Sequence, residues 1–274
     1  MKIGIDLGGT NIRTGAIANG KIVNRHATNT PKTDNEQVVT DAIIDSIRKA
    51  ASGEAIESIG IGVPSVVDWQ KGIVYNVTNI PSWKEVHIKD ILEKEFGVPV
   101  AVNNDANCFA LGEKMYGAAK EYSDVVGIAL GTGVGAGIII GGKLYSGRNT
   151  AAGEIGSLPY LDNDYEHYCS SGFFVTKGTT GKDAAIAADN HDASALAVWQ
   201  EFGSHLGNLV KAVLLTYDPQ AIVFGGSIAN AYKHFQAPLQ QSLSTFLYPT
   251  MVQRLKIFTS SLPDVAIYGA SALV

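Results

Sequence analysis

The apolar positions of this chain gather into short β-branched runs that end at glycine, separated by stretches with helical spacing. Ile3–Leu7 is the first run, broken only by Asp6, and it stops at Gly8-Gly9. Arg13–Ile17 and Lys21–Thr28 read as two returning strands. Thr33-Asp34-Asn35-Glu36 has the form of a capping box, and Val39, Ile43 and Ile47, with Val38 and Ala42, share one face of the helix expected after it. Ser58–Val63 reads as a strand stopped by Pro64. Ser82-Trp83-Lys84-Glu85 reads as a second capping box, opening a helix towards Phe96-Gly97. Val98–Val102 is a strand running into Asn103-Asn104-Asp105, and a helix follows from Ala106 to near Ala118.

The second half echoes the first. Val125–Leu130 is an apolar strand, Gly131-Thr132-Gly133-Val134-Gly135-Ala136-Gly137 is the turn, and Ile138-Ile139-Ile140 returns from it. Residues 143–182, rich in Gly, Ser, Asn and Tyr, read as loops. The longest helix is expected from Ala193 to Tyr217, stopped by Asp218-Pro219. Ala221–Phe224 is a strand into Gly225-Gly226-Ser227, with a helix beyond it broken near Pro238. Asp264–Val274 is weakly helical.

Composition narrows the function classes. A chain of 274 residues, 46% hydrophobic, can fill two modest cores. A net charge of −5 without a Lys/Arg cluster argues against nucleic acid and anionic membranes as partners. A strand starts within two residues of Met1, so no signal peptide is expected, and no apolar run approaches membrane-spanning length. Cys108 and Cys169 do not make a disulfide framework. These features predict a cytoplasmic protein.

Asp6 is the first residue that asks for chemistry, because an unpaired carboxylate in an apolar strand is costly. A Gly8-Gly9 turn carrying Thr10 and Asn11 can cradle phosphate oxygens with backbone N–H groups, while Asp6 holds Mg²⁺ through its waters. A plain tight hairpin explains the same residues. Gly131–Ala136 fits G-x-G-x-x-A, yet a β-branched strand follows where a dinucleotide fold needs a helix. No Gly-Lys step has the spacing of a Walker A loop. Asp105 stands at the end of an apolar strand, where sheets deliver side chains to a crevice. It reads either as a chemical group or as the N-cap of the next helix.

Asp6-Leu7-Gly8-Gly9-Thr10-Asn11, Gly60-Ile61-Gly62-Val63-Pro64, Val102-Asn103-Asn104-Asp105-Ala106-Asn107, Gly131–Gly137 and Gly153-Glu154-Ile155-Gly156 occur in that order along the chain. Together they resemble the ROK-family sugar kinases, a glucokinase-like branch of the actin-like ATPases. The resemblance implies an α/β, two-lobed, ribonuclease H-like fold with a mixed sheet in each lobe and a cleft between. Residues 1–106 plus 262–274 would make the smaller lobe and 107–261 the larger, with the last helix packed back on the first lobe. It implies ATP-dependent phosphorylation of a hexose, most simply glucose at its 6-hydroxyl. Other sugars such as an N-acetylhexosamine or fructose, or a sugar-binding protein without catalysis, are the alternatives.

By the same resemblance Asp105 is the general base. Asp6, Gly8, Gly9, Thr10, Asn11, Gly131, Thr132, Gly133, Gly225 and Gly226 bind nucleotide and phosphate, with Asp6 organising Mg²⁺ through water. Ser65, Asn79, Asn104, Asp105 and Glu154 meet the sugar. ATP and a sugar are the expected small-molecule partners, and a homodimer the expected assembly. Repressors of this family carry a DNA-binding domain ahead of the first strand, and none is expected here. The chain departs from the family's zinc-binding cysteine cluster: one Cys in Tyr165-Glu166-His167-Tyr168-Cys169 cannot build a thiolate site. No zinc site is expected. Tyr168, Phe173 and Phe174 should form an apolar plug instead. Ser157 and Val175 stand at the registers read for the family's sugar-binding His and Glu, and Glu166 or His167 is the candidate substitute.

Overall fold

The computed structural model describes residues 1–274. β1 (Lys2–Leu7), β2 (Asn11–Ala18) and β3 (Lys21–Asn29) form an antiparallel meander, and α1 (Glu36–Ala51) covers it. β4 (Ser58–Val63) joins β1 in parallel. A small antiparallel sheet of β5 (Val67–Asp68), β6 (Ile73–Tyr75) and β7 (Glu85–Val86) interrupts the order. α2 (Ile88–Phe96) then leads to β8 (Val100–Asn104), which pairs in parallel with β4, and to α3 (Asp105–Met115).

The second sheet repeats this plan. β9 (Val125–Leu130), β10 (Val134–Ile140) and β11 (Lys143–Leu144) are antiparallel. After the β12 (Pro159–Tyr160) and β13 (Asn163–Asp164) hairpin come α4 (Tyr165–Cys169), α5 (Ser171–Thr176), α6 (Gly181–Asp189) and α7 (Ala193–Tyr217). β14 (Ala221–Gly225), α8 (Tyr232–Leu243), α9 (Pro249–Arg254), β15 (Lys256–Thr259) and α10 (Val265–Ser271) complete the chain. The strand orders are β3-β2-β1-β4-β8 and β11-β10-β9-β14-β15, the same topology twice. Each sheet has its own core. Ile3, Ile5, Ile43, Ile61 and Trp83 fill the first, and Leu130, Phe173, Phe174, Trp199, Phe202 and Phe235 the second.

Between the sheets lie α3 and α10, approached without side chains. A Cβ on Gly60 of β4 would stand 1.7 Å from the Ala270 carbonyl oxygen, and one on Gly269 would stand 1.7 Å from that of Cys108. Real carbon atoms cannot come so close, so glycine is what lets α10 lie flat on the first sheet and against α3. The tail is therefore a packed helix joining the lobes.

Several local readings give way to tertiary context. The N-cap of α1 is Asn35, whose side chain accepts from the Gln37 N–H. Thr33 accepts from the Asn35 N–H instead of capping the helix. Ser82–Glu85 opens no helix: Trp83 is fully buried, and the Trp83 and Lys84 carbonyls accept from the Val77 and Asn76 N–H groups. That pairing pulls Glu85-Val86 into β7, and α2 begins only at Ile88. Pro238 sits inside an unbroken α8, where Gly203 of α7 makes room for its ring. Residues 143–182 contain α4, α5 and the start of α6 rather than loop alone. No helix is long and apolar enough to cross a membrane.

Gly60→Ala should cost about 3 kcal/mol of stability, the upper range of overpacking in a closed core. Urea unfolding checks it, and a midpoint equal to the parent's would show that α10 can move off the sheet at no cost.

Candidate active site

Asp6, near the end of β1, and Arg13, on β2, are directly opposed across the hairpin, and the guanidinium donates to Asp6 Oδ2. Asp6 is buried while Arg13 reaches outward. Beyond Asp6 the chain turns at Gly8–Asn11, closed by the Gly8 N–H on the Asn11 carbonyl at 2.8 Å. Thr30 donates its hydroxyl to the Gly8 carbonyl at 2.7 Å, and Lys32 donates to that of Gly9 at 2.6 Å. The turn is thus held from behind.

Asp105 opens α3, but it is not the cap. Asn104 is the N-cap, its Oδ1 accepting from the N–H groups of Ala106 and Asn107 at 2.9 and 3.4 Å. Asp105 Oδ1 accepts from the Ala106 N–H at 2.8 Å, which leaves Oδ2 without a protein partner. Burial raises the Asp105 carboxyl to about 7, and the Asp6 and Glu154 charges push the same way. A carboxyl titrating near neutrality can take a proton from a hydroxyl and return it to water.

Asp6, Asp105, Ser65, Asn104, Glu154, Gly131, Thr132, Gly133, Gly225 and Gly226 all line one cleft of about 1040 Å³ between the two sheets. Gly8, Gly9, Thr10 and Asn11 are absent from its lining, although they follow Asp6 and Leu7 directly along the chain. Asn79 also stays off the lining; its Cβ packs over Gly9, and Asn76 and Thr78 face the cleft instead. Ser65 spends its hydroxyl on the Tyr75 carbonyl. At the back, Asn103 donates to the Ser146 hydroxyl at 3.0 Å, and the Thr150 hydroxyl accepts from the Val67 N–H at 2.8 Å.

Glu166 and His167 are neighbours in the chain but face different surroundings. Glu166 lines the cleft, its Oε2 accepting from the Val134 N–H at 3.0 Å, and a Cβ on Gly133 would stand 2.5 Å from that oxygen. Burial and then the Glu166 charge raise the Glu154 carboxyl above its ordinary value. His167 lies off the lining with its ring against Tyr168. Cys169 is buried in the second core, with Phe173 and Phe174 packed beyond it. Tyr168 packs edge-on to Tyr160 and against His205. Ser157, at the register read for a sugar-binding His, faces the cleft, as do Asn230 and Asp264, which the sequence did not single out for it.

Two mixed sheets of one topology, a pair of central helices and a carboxylate-rich cleft match a known family. Residues 2–274 match the ROK family. The chain belongs to that family. A glucokinase of Thermotoga maritima is 29% identical, with 99% of this chain and 96% of that protein aligned. An N-acetyl-D-glucosamine kinase of Vibrio cholerae is 40% identical over 84% of this chain and 85% of its own. A ROK glucokinase from Streptomyces griseus, solved with glucose and AMPPNP, superposes with a TM-score of 0.83 at 28% identity, covering 100% of this chain and 98% of that one. This member of the ROK family is accordingly an ATP-dependent sugar kinase with the actin-like ATPase fold.

The raised Asp105 carboxyl has a pH signature. Its protonated form is the one the fold favours, so its contribution to stability is full below pH 3.8 and is lost as the pH rises through about 7. For catalysis the sign is opposite: sugar kcat/KM should fall as the pH drops below about 7. Asp105→Asn should keep Tm and sugar KM and lose about a hundredfold or more in kcat. Wild-type turnover in that variant would make Asp105 structural.

Proposed function

We propose that this kinase transfers the γ-phosphoryl group of ATP to the 6-hydroxyl of glucose, with Asp105 as general base. The observation that carries the reading is a carboxyl poised near neutrality in the same cleft as two glycine turns and the Glu154–Glu166 pair. Phosphoryl transfer asks mainly for positioning and charge neutralisation. Glu154, Glu166 and Asn104 hold sugar hydroxyls as acceptors and donors, with Asn79 and Ser65 supporting the pocket wall. Gly131–Gly133 and the Gly8–Asn11 turn offer N–H groups to the phosphates from opposite sides, and Gly225-Gly226 backs the nucleoside. Asp105 takes the hydroxyl proton as the sugar oxygen attacks phosphorus and the bond to ADP breaks.

The donor set suits magnesium, because the acids here are hard oxygen ligands and Asp6 keeps Oδ1 clear of its ion pair. Asp6 would hold the ion through water, and the ion would neutralise charge at the β- and γ-phosphates. We take residues 1–106 with 262–274 and residues 107–261 as the bodies that close on the substrates, excluding water. A cytoplasmic location and a homodimer belong to the same proposal and draw their support from family membership. The aromatic packing around Tyr168, Phe173 and Phe174 supports an α4 segment held by side chains where other members use zinc.

A second reading, an N-acetylhexosamine as the acceptor, draws support from the 40% identity to the Vibrio cholerae kinase. An ADP-release assay over glucose, mannose, fructose, N-acetylglucosamine and N-acetylmannosamine decides. Glucose should give the highest kcat/KM; a higher value for an acetamido sugar would transfer the assignment, and no turnover with any sugar would leave a binding protein. For the best sugar, Glu166→Gln should raise KM about tenfold or more, the cost of weakening a charged hydrogen bond. An unchanged KM would remove Glu166 from the sugar site.

A further inference from the structure

Five carboxylates line the cleft, Asp6, Asp105, Glu154, Glu166 and Asp264, and Arg13 is the sole basic side chain among them. Nucleoside triphosphate must bring several negative charges into that field. Asp264 is already engaged by Arg25 at 2.7 Å, outside the lining. Arg13 is therefore the one cation lining the cleft that can meet the phosphates, since the Lys32 ammonium is spent on the Gly9 carbonyl behind the turn. Its placement suits the task. The cross-strand register with Asp6 sets its Cα one hairpin turn away from Gly8–Asn11, and the exposed guanidinium is held over the cleft by the Asp6 carboxylate alone. A guanidinium presents a planar fork of donors that matches phosphate as well as carboxylate.

We infer that Arg13 is a catalytic residue that exchanges its Asp6 partner for the γ-phosphoryl oxygens of bound ATP and stabilises the phosphoryl group in transfer. The ion pair of the free enzyme is then a parked state: Asp6 keeps the guanidinium aimed and desolvated on one side until a phosphate replaces it. As the sugar oxygen bonds to phosphorus and the β–γ bridging bond breaks, the charge on the three equatorial oxygens is met by Arg13. The proton goes to Asp105 and ADP leaves. The inference rests on the phosphate placement proposed above, and adds to it a protein cation that reads the third phosphate.

The test compares Arg13→Gln and Arg13→Lys with the parent, using calorimetric binding of AMPPNP and ADP with magnesium, and kcat with the best sugar of the panel. Arg13→Gln should lower kcat about a hundredfold or more, within the range of arginines that neutralise transferred phosphoryl groups. It should weaken AMPPNP about tenfold while leaving ADP within about twofold, since only the former offers the third phosphate. Arg13→Lys should recover part of the rate, and Tm should move by no more than about 3 °C, as expected for a half-exposed ion pair. Wild-type kcat in Arg13→Gln, or equal weakening of AMPPNP and ADP, would overturn the assignment, the second result meaning that Arg13 acts only by ordering Asp6. Thr132→Val separates the two levels. Weaker binding of both nucleotides in that variant, with none of the Arg13 effects, would sink the inference alone, and no effect in either variant would sink the phosphate placement as well.

Discussion

α3 and α10 touch backbone to backbone at the centre of the molecule, and most of its geometry follows from that contact. A Cβ on Gly112 would lie 2.1 Å from the Val265 carbonyl oxygen, and one on Gly269 would lie 1.7 Å from that of Cys108. On its other side α10 lies against Gly60 of the first sheet, while α3 lies against Gly137 of the second, where a Cβ would meet the Ala106 carbonyl oxygen at 2.5 Å. The result is a four-layer stack, sheet, helix, helix, sheet, with almost no side-chain thickness between its middle layers. Rigid packing of this kind transmits displacement instead of absorbing it. Asp105 is the first residue of α3 and Asp264 directly precedes α10, so the same contact sets the width of the cleft mouth. Glu113, fully buried, ties the far end of α3 by accepting from the Ser260 hydroxyl and the Ala118 N–H.

The cleft that this stack holds open is electrostatically asymmetric. Its acids lie close enough that Asp6 and Glu154 help raise Asp105, and Glu166 raises Glu154. Such crowding has two consequences for a sugar kinase. It moves Asp105 to the range where a base works at neutral pH, and it makes the empty cleft hostile to a polyphosphate. Among the side chains of the lining the one basic counterweight is Arg13. The hydrogen bond from Val134 to Glu166 adds a further link, because it fixes an acid of the cleft to the strand that leaves the Gly131–Gly133 turn.

The segment that carries Glu166 is held in place by packing against the second core. α4 is only five residues long, too short to be stable alone. Asp164 caps it by accepting from the His167 N–H at 2.8 Å. Tyr165 stacks on Tyr160 with centroids 4.3 Å apart, and Tyr160 accepts from Asn208 of α7 at 2.8 Å. Cys169 faces the core of the second sheet, where burial pushes its thiol far up and keeps it neutral. Aromatic contacts on one side leave Glu166 on the other, pointing at the cleft.

The sequence by itself determined eight of the ten strands of the two large sheets, the glycine turns and the longest helix, because period-2 apolar runs, Gly pairs and Asp218-Pro219 are local signals that tertiary packing had no reason to override; the short strands and the edge strands β11 and β15 were left to tertiary pairing. It also determined the family, since five spaced motifs survive as a pattern independent of contacts. The Asp6–Arg13 pair came only with the structure, where the register of β1 on β2 sets the two residues opposite each other. Tertiary structure alone decided what depends on long-range partners. Trp83 was drawn into the first core, turning an apparent helix start into β7, and Asn104 rather than Asp105 became the cap because its amide also reaches Ser65. That Glu166 and not His167 lines the cleft follows from the orientation of a helix whose direction is set by aromatic residues far apart in the chain. The neutral poise of Asp105 is of the same kind: it comes from burial and from charges 99 residues before it and 49 after it, distances along the chain at which a sequence carries no field.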